Sequence, residues 1–181
     1  IRGITNVNAA NIADYNAAFI AMPSPFADIN NPTVAEINAV IAAVNAEVVA
    51  ETSAVNELVE DLNGNTNGTL ITAAQLDDIR GITNVNAANI ADYNAAFIAM
   101  PSPFADINNP TVAEINAVIA AVNAEVVAET SAVNELVEDL NGNTNGTLIT
   151  AAQLDDIRGI TNVNAANIAD YNAAFIAMPS P

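Results

Sequence analysis

The 181-residue chain contains no cysteine, histidine, lysine or tryptophan. Without cysteine there is no disulfide framework and no thiol nucleophile. Without histidine, the usual zinc sites and the serine–histidine–acid triad are also excluded. Positive charge is nearly missing. Arg2, Arg80 and Arg158 are the only basic residues against 21 acidic ones, which leaves a net charge of −18. Phosphate backbones and anionic bilayers repel such a chain, so neither nucleic acid nor direct binding to an anionic membrane surface is expected. Long apolar runs are missing too. The richest stretch, Ala39–Ala50, is interrupted by Asn45 and Glu47 and falls short of the roughly 18 residues of a membrane span. Aromatic residues make up only 4%, so a core must be built from Val, Ile and Leu with a few Phe and Tyr. Hydrophobic residues still reach 52%, too many for a disordered acidic tail.

What is present is repetition. Ile1, Ile79 and Ile157 all open the words IRGITNVNAANIADYNAAFIAMPSP, a spacing of 78 residues. Residues 1–78 and 79–156 are identical, and 157–181 begin a third copy. The chain starts and stops in mid-copy, which reads as a window cut from a longer array. A period of 78 is longer than most solenoid repeats and suits a small helical domain or a double-length helical unit.

Each copy carries three helix starts. Thr72-Ala-Ala-Gln75 and Thr33-Val-Ala-Glu36 have the capping-box pattern, and Asn8 can cap a third helix with Val7 and Ile12 as its staple. A short helix is expected over Ala73–Arg80, ended by Gly81, with the Arg80 cation in its last turn. A second is expected over Ala87–Ala99, equivalent to Ala9–Ala21. Its stripe is Ile12, Tyr15, Phe19 and Met22, and Pro23 and Pro25 end it. The third is long. Val34, Ile37, Ile41, Val44, Val48, Val55, Leu58 and Leu62 follow a three-then-four spacing with one gap, at Glu51. Nothing forces a break there, so a continuous helix is expected, about 43 Å long at about 1.5 Å per residue. The fold class is therefore all-α: a tandem array of short, medium and long helices forming an elongated rod or fibre, with core shared between neighbouring copies.

The loop Asp61-Leu-Asn63-Gly-Asn65-Thr-Asn67-Gly68 places oxygen-bearing side chains at every second position, with a glycine after the third asparagine. It resembles the calcium loop of EF-hand and dockerin-like proteins. The resemblance implies weak Ca2+ ligation by Asp61, Asn63, Asn65 and Asn67, and by Asp139, Asn141, Asn143 and Asn145 in the second copy. Ala74 stands where the bidentate glutamate of that pattern belongs, and Gln75 comes one residue late. The competing reading is a plain turn, since Asn and Gly dominate turns. Glu57, Glu60 and Asp61 read as a solvated acidic face. Arg80, one per copy with Arg158, is a candidate for an ion pair, with Asp77 three residues back or with an acidic neighbour. Phe26 and Ile29, with Phe104 and Ile107, are expected to anchor the loop PSPFADINNP. Asparagine recurs at Asn11, Asn16, Asn38, Asn45 and Asn56, although it is a mediocre helix former. Lateral bonding between rods and neutral surface filling are both open readings.

Identical copies present one surface at a constant step, which serves length or avidity and does little for an enzyme. The chain resembles the tandem-repeat region of large secreted bacterial surface proteins of the adhesin or filament type. Its helix order is similar to the small three-helix modules of such proteins, including those that bind host serum albumin. The resemblance implies an extracellular or cell-surface location. The preferred function is a structural repeat of a fibre, stalk or adhesin, stacked end to end, whose partners are copies of itself. The alternative is a multivalent module that holds a host or matrix protein.

Overall fold

The computed structural model describes residues 2–21, 23–100 and 102–178. Among these the chain is helical and holds no strand. The helices are α1 (Ile12–Ile20), α2 (Val34–Leu62), α3 (Ala73–Asp78), α4 (Ile90–Phe97), α5 (Val112–Leu140), α6 (Ala151–Asp156) and α7 (Ile168–Ile176). A single 3-10 turn leads into each of α1, α4 and α7.

Both predicted capping boxes form. The Thr33 and Thr111 hydroxyls accept from the backbone N–H of Glu36 and Glu114, while each glutamate reaches back to the threonine N–H. Thr72 and Gln75 do the same for α3. The 3-10 turns begin where Asn8 and Asn86 accept from the N–H two residues on. The short helix ends earlier than expected. It stops at Asp78, so Arg80 lies outside it, and Gly81 (φ +89°) occupies the third position of a turn closed from Ile82 N to Ile79 O at 3.1 Å. The medium helix is also shorter than expected, because its first turn is 3-10. Tyr15 is buried and Phe19 half-buried on its stripe. Met22 lies outside the described residues.

The long helix runs unbroken for 29 residues in both copies. At the gap in its stripe the Thr52 hydroxyl turns back onto the Val48 carbonyl at 2.8 Å, an arrangement helices tolerate. The gap separates two cores. Ile41 and Val44, before it, pack with Tyr15, Ile4, Ile37 and Phe19. Ala54 and Leu58, after it, join Ile71, Leu76 and Ile79 around α3, Tyr93 and Phe97 of α4, Phe104, and Ile115, Val118, Ile119 and Val122 of α5. This second core is drawn from two copies, and every residue of it lies between Ala54 and Val126.

Two of the helical asparagines, Asn38 and Asn45, take a role that neither reading named. Asn38 accepts from Thr5 N (3.1 Å) and donates to Gly3 O (2.8 Å). Asn45 accepts from the Tyr15 hydroxyl (2.5 Å) and from Asn11 Nδ2 (3.0 Å), and donates to Asn6 O (2.9 Å). Asn116 and Asn123 repeat this set against residues 81–93. They hold the non-helical strip before each medium helix against the long one. That strip has no sheet to satisfy its backbone, so side-chain amides supply the partners. Asn56 stays exposed and takes no part.

Two outcomes follow from these contacts. Asn123→Ala orphans the Tyr93 hydroxyl, Asn89 and the Asn84 carbonyl, and should cost about 1–3 kcal/mol in urea unfolding, while Asn134→Ala, at an exposed position, should be neutral. Glu114 accepts the Thr111 hydroxyl (2.6 Å) and the N–H groups of Ala105 (2.9 Å) and Thr111 (2.8 Å). These bonds, the hydroxyl first, hold its carboxyl below the usual 4.5. A depressed folded-state value contributes stability above the unfolded value and loses it as pH falls through the folded one. The Tm gap between the natural chain and Glu114→Gln should therefore be full at pH 7 and close below about pH 4.5, where protonated Glu114 has one acceptor oxygen like glutamine.

Candidate functional site

The features singled out in the sequence converge on the seam between copies. The loop after α2 is shaped by its own polar atoms. Asn63 N donates to the carbonyls of Val59 and Glu60 at 3.1 Å, and its Nδ2 donates to Val59 O at 2.8 Å. Gly64 (φ +110°) and Asn65 (φ +47°) then turn the chain through the left-handed region. Asn67 Oδ1 accepts from Thr69 N at 2.6 Å, which fixes the next bend.

Asn63 and Asn67 are thus committed to the turn. Asn65 Oδ1 is buried and has no donor, whereas in the second copy Asn143 Oδ1 accepts from Gly146 N at 3.0 Å. Of the asparagine oxygens, Asn67 Oδ1 is taken up by Thr69 in the first copy, and Asn143 Oδ1 and Asn145 Oδ1 by Gly146 and Thr147 in the second. In the second copy Asn141 and Asn145 repeat the roles of Asn63 and Asn67.

The carboxylates gather instead. Glu57, Glu60 and Asp61 each bring one oxygen to within 4.8 Å of the others, as do Glu135, Glu138 and Asp139. The expectation of a solvated acidic face is corrected here. Glu57 and Glu60 are half-buried and Asp61 is only 2% exposed. The reason is position: Asp61 stands three residues after Leu58, on the apolar stripe, and faces inward with it. Its Oδ2 accepts from Ile71 N at 2.7 Å. Burial, with the Glu57 and Glu60 charges adding to it, pushes the Asp61 carboxyl above its usual range even against that bond. Glu60 Oε1 accepts the Thr66 hydroxyl (2.5 Å), the Thr66 N–H and Asn67 N (2.9 Å). These bonds, the hydroxyl foremost, hold Glu60 below the usual range.

Three further contacts cross the seam. Arg80 does not pair with Asp77. It reaches Asp14 Oδ1 at 2.5 Å and Glu51 Oε2 at 3.0 Å, both in the preceding copy, and its N–H donates to Glu51 Oε1 at 3.2 Å. Arg158 repeats the pattern with Asp92 and Glu129 at 2.7 and 3.1 Å. The guanidinium groups are about half exposed, so these pairs fix geometry more than they add stability. Asn63 Nδ2 also meets Asn108 Oδ1 of the following copy at 3.2 Å. Asn94 Nδ2, buried in α4, donates to Ile71 O of the copy before it at 3.1 Å.

The aromatic anchor completes the seam. Phe104 is 5% exposed, packs on Phe97 with the rings tilted by 41° and centroids 5.9 Å apart, and shares a core with Ala54 and Leu58 of the preceding copy. Ile107 packs on the same core. At the identical positions of the first copy Phe26 is half-buried and Ile29 is 64% exposed. No preceding copy covers that side in this chain. No family model, curated protein or solved structure matches the chain.

The sequence reading missed Asp61 as an inward group and the Asn38 and Asn45 anchors. The signal for Asp61 was its place on the Leu58 stripe. For the asparagines it was their spacing of seven on one helix face. Truncation should report the seam directly. Phe104→Ala should cost about 3–5 kcal/mol, and Phe26→Ala clearly less, in paired denaturation curves of the full chain.

Proposed function

We propose that this protein is a structural repeat whose copies stack end to end into an elongated rod of short, medium and long helices, serving as an extracellular fibre, stalk or adhesin spacer. The observation that carries the reading is the burial of identical residues. Phe97 is 1% exposed and Phe104 5%, while their counterparts Phe19 and Phe26 are only half-buried. Asn94 is buried and Asn16 exposed. Sequence and local structure are the same, so the difference is the neighbouring copy. Each copy completes the core of the one before it.

The long helix gives the stacking its direction. Its first half lies in one core and its second half in the next, so each added copy extends the chain by one core without a flexible linker. Identical units related by a constant step generate a line or a superhelix. The acidic exterior supports the same reading, because net charge of one sign opposes random association of finished rods. The multivalent-binding alternative has no observation of its own here.

The test is a series of chains with two, four and eight copies viewed by negative-stain electron microscopy. Rods of constant width whose length rises by an equal increment per copy are expected, together with a Tm that climbs and then levels as copies are added. Beads of variable spacing, or a Tm independent of copy number, would overturn the reading.

A further inference from the structure

The carboxylate group at the end of the long helix asks for a counter-ion. Asp61 is 2% exposed, and its Oδ1 has no hydrogen-bond partner. Beside it the Glu60 Oε2 is buried and unpartnered as well. The same two atoms are orphaned in the second copy, Asp139 Oδ1 and Glu138 Oε2, where Asp139 is fully buried. Buried acceptors of this kind carry a heavy desolvation cost unless a donor or cation meets them. The sequence offers no lysine or histidine, and Arg80 and Arg158 are engaged at Asp14, Glu51, Asp92 and Glu129. The C-terminal end of α2 adds the negative pole of its dipole to the same spot.

We propose that Glu57, Glu60 and Asp61, and their counterparts Glu135, Glu138 and Asp139, form a divalent-cation site, one per copy, that takes calcium. The donor set is oxygen alone, which selects a hard cation over zinc or copper. Glu60 Oε1, Glu57 Oε1 and Asp61 Oδ2 are already held by Thr66, Thr69 and Ile71, and Glu57 Oε2 accepts only a long bond from Asn67 Nδ2 at 3.3 Å, so the loop presents Glu60 Oε2 and Asp61 Oδ1 unpartnered, with Glu57 Oε2 beside them, without further ordering. This ligand set shares only Asp61 with the alternating loop pattern and draws its other two carboxylates from α2. Calcium tolerates irregular oxygen shells better than magnesium does. The ion would brace the seam: Asp61 holds Ile71 N, and Ile71 O accepts from Asn94 of the next copy. The site is independent of whether the copies build a rod.

The experiment is calorimetric titration of the chelator-treated 181-residue chain with calcium chloride, at constant ionic strength, alongside thermal melts. Two saturable sites per chain are expected, with a dissociation constant of about 10⁻⁴–10⁻³ M and a higher Tm at saturation. Glu57→Gln with Glu135→Gln should fold and weaken binding at least about tenfold, as charged ligands are removed. Asp28→Asn with Asp106→Asn, two exposed carboxylates elsewhere, should leave it unchanged. Heat and Tm that follow ionic strength alone, without saturation, would overturn the proposal. So would binding that survives the Glu57 and Glu135 substitutions.

Discussion

The long helix carries two apolar stretches, Ile37–Val48 and Ala54–Leu62, and one short partner on each side. A 78-residue copy has no second layer with which to bury both. Burial of the second stretch needs α4 and the first half of α5, which belong to the next copy. Everything else in the structure accommodates that dependence. The loop after α2 is short and fixed by its own polar atoms. The PSPFADINNP segment turns Phe104 inward. Arg80 and Arg158 reach back to acids of the copy before. The hydrophobic term is the driving force, and these polar contacts set the register in which it acts.

A low-aromatic, alanine-rich core leaves a problem that side-chain amides solve. The strip from Gly81 to Asn86 is non-helical, with Gly81 and Asn84 at positive φ, lies across α5 and has no sheet partner. Unpaired backbone groups near a core are costly. Asn116 and Asn123 each offer a donor and an acceptor from one amide, which suits a strip whose N–H and C=O groups alternate. A lysine or glutamate there could satisfy only one kind of group. The helix-propensity penalty of Asn, a few tenths of a kcal/mol relative to better formers, is small beside the two or three polar groups, backbone and side-chain, that each amide satisfies. The same logic places the Tyr93 hydroxyl, which accepts from Asn86 N at 3.0 Å and donates to Asn123 at 2.5 Å.

Helix positions were legible from local signals. Thr33 with Glu36 and Thr72 with Gln75 named their helices, and the continuity of α2 past Glu51 followed from the lack of Gly or Pro. Where a contact depended on the neighbouring copy, local signals failed. The gap at Glu51 is visible in the stripe, but its partner is not: it is the handover between two cores, with Glu51 turned to Arg80 of the next copy. For Arg80 the sequence offered Asp77, at a visible spacing of three, or an unspecified acidic neighbour; the neighbours are Asp14 and Glu51, 66 and 29 residues away, and no local signal names them. The loop asparagines read as ligands from their alternation. Alternation fixes which side a side chain leaves from only in a regular strand, and this loop turns through the left-handed region at Gly64 and Asn65. Asp61 was legible only by taking the stripe literally and accepting a carboxylate on it.

Identical copies in one chain face a hazard of their own, since the second half of any long helix fits α4 of any other copy. Mispairing of that kind is a common failure of repeat arrays. Connection length argues against it here. Between Leu62 and Ala73 the chain has ten residues, and α3 then packs directly on α2. The next α4 follows α3 by eleven residues that are themselves pinned, through Asn116 and Asn123, to the following long helix. Short, ordered connections keep the effective concentration of the correct partner high, and it falls steeply for a copy reached through intervening folded units. The contacts that build the seam are thus also those nearest in sequence, which favours pairing in chain order.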